Sequence, residues 1–345
     1  MSNLSRRQVL GTTVAAAAVG ATGLPTVLTR QAHAATPALV PRKLPFPPND
    51  NLGNYEPAIS ADGNSIYFAR FANNGDERVK GVSDLFVTHR INQDAEWPGT
   101  DADWSAAERL PDTVNSDSTD LEPWISPDGN SLYFMSRREG GLGGSEIWVS
   151  HRQGDEWTQA QPVDVGNINS EVQDHCFMPF DLPGEPSRML FISARPRTPG
   201  GPPVADIYTT QWVNDAWEPV TRYEDRLLDS IAMKCRFNVV TRDDLTLGVV
   251  SVHDFGKFHT LLFVHYDPVS GEWRGPIVEA PFNDWNIDGG CPTFQGNERM
   301  VWSAGYDRGP GIVTGGPTGA GDVYDIYWLP VSEIVAYYKA SAGLV

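Results

Sequence analysis

The sequence predicts an all-β chain, a single five-bladed β-propeller of four-stranded antiparallel blades whose last blade is closed by an N-terminal strand. Three observations predict it. First, Leu121-Glu-Pro-Trp-Ile-Ser-Pro-Asp-Gly-Asn-Ser-Leu-Tyr-Phe134 repeats the design of Tyr55-Glu-Pro-Ala-Ile-Ser-Ala-Asp-Gly-Asn-Ser-Ile-Tyr-Phe68. Each copy reads as strand, Asp-Gly turn, strand, because Asp-Gly supplies the positive φ of a tight hairpin between β-forming residues. Second, strand and turn patterns recur at about 60 residues along the chain, the signature of a radial array of small sheets. Third, Leu44–Phe68 aligned without gaps on Leu110–Phe134 gives 13 identities in 25 positions. Residues 37–44 therefore stand where the outer strand Trp104–Leu110 stands one repeat later. No Trp-led outer strand follows Tyr324–Pro330, so the N-terminal strand is expected to cover that open edge.

Taken in order, residues 1–34 are an address. Ser5-Arg6-Arg7-Gln8-Val9-Leu10-Gly11 precedes an Ala/Val/Gly-rich run ending at Ala32-His33-Ala34. A basic start, a weakly apolar middle and an A-x-A site define a cleavable signal, and the paired arginines resemble a twin-arginine export signal. Cleavage after Ala34 and a periplasmic or secreted location are expected, with folding and any cofactor loading before export. The signal removes three arginines and no acid, taking the formal charge from −18 to −21. So acidic a chain disfavours nucleic acid and anionic membrane as partners. No other apolar run is long enough to span a bilayer. A monomer is expected.

Residues 35–330 form the propeller. Inner strands begin near Glu56, Glu122, His175, Cys235 and Cys291, and outer strands are led by Trp104, Trp157, Trp217 and Trp273. Residues 331–345 read as a short helix and tail. Glu122–Ser136 closely, and Glu56–Arg70 well, match Pro-x-Trp-Ser-Pro-Asp-Gly-x-x-x-Tyr-Phe-x-Ser; on these residues the chain resembles the TolB-type, WD-like propeller repeat. That resemblance implies the fold and leaves activity open, because the repeat serves binding modules and enzymes alike.

The face where inner strands start also carries the long Gly/Pro-rich loops 73–83, 139–144, 196–205 and 307–321, which makes it the expected ligand face. Glu56 and Glu122 mark the channel mouth there as candidate catalytic carboxylates. Arg70, Arg137 and Arg195, at second-strand ends, and Asp288 are candidates for binding substrate; the alternative is a ring of interblade salt bridges. His89, His151 and His265 recur at third-strand ends and read as repeat residues. His175, His253 and His259 map to the ligand face, and with a carboxylate they would suit a divalent Zn, Mn or Fe ion. Cys176, Cys235 and Cys291 leave at least one thiol unpaired, and a Cys235–Cys291 disulfide is open. No phosphate loop, G-x-S-x-G elbow or EF-hand string is present.

Two functions follow. One is an exported enzyme, a metal-assisted lyase or hydrolase acting on a carbohydrate or other carboxylated small molecule; a metal-free glycosidase would use Glu56, Glu122 or Asp288. The other is a non-catalytic propeller that binds a protein or glycan.

Overall fold

The computed structural model describes residues 27–28, 36–50, 52–232, 234–254, 257–282, 287–306 and 324–344, without the side chains of 27–28, 253–259, 287–290 and 306. Five antiparallel sheets form five blades, running from the inner strand outward along the chain except in blade V, whose outer strand comes from the N-terminal segment. Blade I is Tyr55–Ile59, Ser65–Phe71, Ser83–His89 and Glu108–Arg109. Blade II is Asp120–Ile125, Ser131–Ser136, Glu146–Gln153 and Gln161–Pro162. Blade III is Asp174–Phe180, Arg188–Ser193, Asp206–Thr210 and Thr221–Arg222. Blade IV is Lys234–Arg242, Leu245–Asp254, Lys257–Asp267 and Glu272–Glu279, with Val27–Leu28 lying parallel against its outer edge. Blade V is Ile287–Gln295, Arg299–Tyr306, Tyr324–Pro330 and the N-terminal strand Arg42–Lys43.

The repeated turns form as their residues dictate. Asp62 accepts from Ser60 and from the Asn64 backbone, and Asp128 repeats both bonds with Ser126 and Asn130. Gly63 and Gly129 take φ of 74° and 72°, where a side chain would be strained. At the same end, His89 and His151 bond Ser65 and Ser131 across the ladder, and His265 bonds Tyr338, which agrees with their reading as repeat residues.

Ring closure rests on more than two ladder residues. Arg42 and Lys43 pair with Trp328 and Tyr327. Behind them, Asn49 bonds the Ile326 backbone through both ends of its amide and also reaches the Leu44 carbonyl. Asn115 does the same to Leu85 and Leu110 in blade I, and Asn169 to Ile147 in blade II. An amide that satisfies both groups of one buried residue replaces the missing ladder bonds there. The N-terminal segment thus docks by the device that joins other blades, and Leu44 is buried with it.

The helix Val331–Ala342 ends at Gly343, whose φ of 69° terminates it. It buries Val331, Ile334, Val335, Tyr337 and Tyr338 in the core shared with blades IV and V. Glu333 on its first turn takes a two-pronged bond from Arg42, tying the C-terminal helix to the closing strand.

Outer strands differ from expectation in detail. Trp104 makes only an isolated bridge, Trp217 joins a small hairpin with Trp212, and the ladder in blades I and III starts a few residues later. Trp104 and Trp157 are buried, so the indole anchors the approach of the strand while the following residues make its hydrogen bonds.

Candidate functional site at the channel mouth

Every inner strand is interrupted by a bulge near its start, between Tyr55 and Ala58, Leu121 and Trp124, His175 and Met178, Lys234 and Arg236, and Gly290 and Thr293. Bulges re-aim side chains, and here those of blades I, II, III and V each turn one residue toward the channel. Glu56, Glu122, Cys176 and Cys291 sit on them with φ of 53° to 59°. A side chain in this left-handed region costs on the order of 1 kcal/mol, so glycine or asparagine would be the undemanding choice. Carboxylates and thiols occupy it instead.

These side chains mesh around the ring. Glu122 N–H donates to Glu56 Oε2 at 2.9 Å, Cys176 N–H to Glu122 Oε2 at 2.9 Å, and Glu56 N–H to Ser303 Oγ at 3.0 Å. Each carboxylate therefore satisfies the bulge of the next blade. His175 Nδ1 lies 3.0 and 3.1 Å from the two Glu122 oxygens. Cys176 Sγ is 3.1 Å from Glu122 Oε2 and from the Cys235 carbonyl, and 3.3 Å from His175 Nδ1. Cys291 Sγ points to Glu56 Oε1 at 3.5 Å. All three cysteines are free thiols, so the Cys235–Cys291 bridge left open by the sequence is not formed.

Charge is divided sharply within this small volume. Burial would raise the Glu122 carboxyl, but the His175 imidazole and the Arg236 guanidinium hold it well below the carboxylate range. Burial would lower His175, and the Glu122 carboxylate outweighs it and pushes the imidazole above its usual value. Burial raises the Cys176 thiol; Cys291 is raised by its bond to Cys176, by burial and by Glu56. Without a further ligand the centre is an imidazolium–carboxylate pair flanked by neutral thiols. A proton-donating role for Glu122 does not fit an ionised carboxylate.

The structure relocates several expected residues. The channel position of blade III belongs to Cys176; His175 precedes it on the strand and reaches Glu122 from the side. Arg70, expected to grip substrate, has no exposed surface and is bound to Asp50, Asp76 and Asn54. Arg195 donates through Nη2 to the carbonyls of Asn167 and Ile168, 3.7 Å from Asp174, while its Nη1 has no hydrogen-bond partner among the described residues. Both are corrections of the same kind: the guanidinium is committed to buried backbone or carboxylate and locks the blade. Arg137 is exposed on its loop and donates to Ser145, while its neighbour Arg138 takes the locking role with Asp120 at 2.7 Å. The side chains of His253, His259 and Asp288 lie outside the described residues, so the three-histidine set is not brought together here.

What the sequence reading missed are Cys176 and Arg236, and the part of Cys291, which it placed at an inner-strand start without giving it a role in the site. The signal was available for the two cysteines, since each stands within one residue of an inner-strand start. Arg236 carried none, as an arginine in a buried strand pattern has no spacing to mark it.

Two overlapping donor triads result, Glu122–His175–Cys176 and Glu56–Glu122–Cys291, each with ligand atoms within 4.8 Å of one another. Thiol, imidazole and carboxylate together are a donor set for a divalent transition metal.

No protein-family model matches this chain, and no curated protein does. Solved structures do resemble it. An α-L-arabinofuranosidase from Lactobacillus brevis superposes with a TM-score of 0.54 at 11% identity, over 83% of this chain and 92% of that one. A thermostable family-43 glycoside hydrolase gives 0.50 at 11% identity over the same shares. A structure described as TolB from Agrobacterium tumefaciens gives 0.38 at 14% identity, over 75% and 72%, too loose to carry the TolB-type resemblance further. At these identities the likeness shows the fold. The chain is a five-bladed propeller whose solved neighbours include glycoside hydrolases.

Proposed function

We propose that this protein is an exported propeller hydrolase, acting on a glycan or other carboxylated small molecule, whose channel mouth holds one divalent transition metal through Glu122, His175 and Cys176, with Glu56 and Cys291 completing or supporting the shell. The observation that carries this reading is the pair of overlapping donor triads on strained bulges. The fold neighbours, an arabinofuranosidase and a family-43 glycoside hydrolase, support the substrate class. Metal would displace the imidazolium proton and at least one thiol proton. Binding is therefore expected to weaken as pH falls, starting above the usual imidazole range because Glu122 raises His175.

Cobalt titration of the mature protein tests this. One equivalent of Co²⁺ should produce a thiolate-to-metal absorption band, absent in Cys176→Ser and in His175→Ala, with Glu56→Gln weakening it less than Glu122→Gln. If wild-type protein takes up no metal and shows no band, the metal centre is wrong. The second reading then stands, since both carboxylates already serve the ring by accepting the next blade's N–H. A non-catalytic binding propeller would need nothing more from them.

Export through the twin-arginine route belongs to the same proposal. Replacing Arg6 and Arg7 together with lysine should retain unprocessed precursor in the cytoplasm; normal export of the double variant would show a different route.

A further inference from the structure

Arg236 follows Cys235 on the inner strand of blade IV and has no exposed surface. Its Nη1 donates to the Cys291 carbonyl at 3.2 Å, but Nε and Nη2 have no partner among the described residues. Directly across the ladder stands Ser251. Opposed residues of an antiparallel pair send their side chains to the same side of the sheet. The Ser251 hydroxyl is also fully buried and also without a partner. Two cationic N–H groups and a hydroxyl, neighbours in the fold, are thus all unspent. Buried polar groups are rarely left so, and a cationic donor without an acceptor is the costliest kind.

The Glu122 carboxylate does not fill the gap. The Cys176 sulfur lies beside the Arg236 guanidinium and is a weak acceptor, and Glu122 contributes to the field there, but its two oxygens are bonded to His175, to the Cys176 N–H and to the Cys176 thiol. A guanidinium with two free N–H directions matches the two oxygens of a carboxylate. On the neighbouring strand ends of blades III and IV, His175 keeps 21% of its side chain exposed and Cys235 is half-buried.

We propose that Arg236 and Ser251 form an oxyanion subsite that takes a carboxylate of the ligand beneath the Glu122–His175–Cys176 donors. This deepens the proposed function and rests on its carboxylated substrate class, though not on the metal. Anchoring the ligand's carboxylate here places the adjoining bonds against the donor ring. The subsite gives Arg236 a partner where the buried Lys234 and Asn238 of the same strand already have theirs in backbone carbonyls.

The test uses the full mature chain with D-glucuronate and D-glucose, which share a ring and differ in the carboxylate. Glucuronate should raise the melting temperature of wild-type protein, and glucose should not. Arg236→Lys should weaken glucuronate binding about tenfold, since a point charge replaces a planar fork, and Ser251→Ala should weaken it several-fold. Arg236→Met should abolish it; if that variant does not fold, the other two carry the test. Equal responses to the two sugars, or wild-type binding in Arg236→Lys and Ser251→Ala, would overturn the proposal. An equal shift from inorganic sulfate would overturn the carboxylate assignment. The cobalt band separates this proposal from the metal centre. Arg236-dependent glucuronate binding without cobalt uptake removes the metal alone; normal cobalt uptake without discrimination between the sugars removes the subsite alone.

Discussion

Blades I and II are near copies, whereas blades III and V have kept the left-handed bulge and changed its residue, and blade IV has the bulge without the left-handed residue. In the first pair the bulge carries Glu56 and Glu122 and the hairpins below share every turn bond. In blades III and V the same left-handed bulge carries Cys176 and Cys291. The repeat is therefore conserved as a conformation before it is conserved as a side chain. What varies is polarity: the glutamates accept around the ring, and the thiols donate into it. Strand-end arginines show a parallel gradient. Arg70 is enclosed by two carboxylates, Arg138 meets one, and Arg195 stands 3.7 Å from its aspartate and leans on carbonyls.

The comparison can be broken most forcefully at blade V, which depends on a strand from outside its own sequence. Removing residues 36–49 deletes Arg42, Lys43 and the Asn49 clamp and exposes an edge. The melting temperature should fall by more than about 10 °C, since several buried contacts are lost together. An unchanged melting curve would mean that the N-terminal strand does not hold the ring shut.

A smaller effect sharpens the arginine gradient. Arg70→Met leaves Asp50 and Asp76 without their buried cation and should cost about 3–5 kcal/mol in chemical denaturation, whereas Arg195→Met should cost about 1 kcal/mol. The sign with pH follows from Asp76. Burial raises its carboxyl, but Arg78 and Arg70 outweigh this and hold it at about 2. A depressed carboxyl stabilises the fold above the unfolded value near 4 and loses that contribution as pH falls toward 2. Asp76→Asn should flatten the stability profile over that window by about 2 kcal/mol. A parallel profile in both proteins would show that the pair does not act as described.

The smallest effect distinguishes the two copies themselves. At Gly129 an added Cβ meets open space, but at Gly63 it comes within 2.6 Å of the Gln295 amide of blade V. Both substitutions to alanine meet the positive φ, at about 1 kcal/mol. Gly63→Ala should cost several tenths more, because Gln295 must leave its bond to the Ala61 carbonyl. Equal losses would place the blade I–V contact at no energetic value.

The blade count, the Asp-Gly hairpins, the closing N-terminal strand and the role of His89, His151 and His265 were legible in the chain before folding. These are local patterns, set by φ preference, alternation and spacing, and they repeat often enough to be read. The sequence also placed Glu56, Glu122 and Cys291 at the channel mouth, and put His175 one residue from the position that Cys176 holds. Only the tertiary structure decided which groups meet there. Cys176 and Cys291 join Glu122 and Glu56 because bulges on different blades aim at one axis, a convergence across more than 50 positions that no local pattern encodes. It also decided that Arg70 is a lock and Arg236 an unspent cation. Both are fully buried arginines on strands; whether a guanidinium is satisfied depends on what the fold packs against it, and the chain reveals that only once folded.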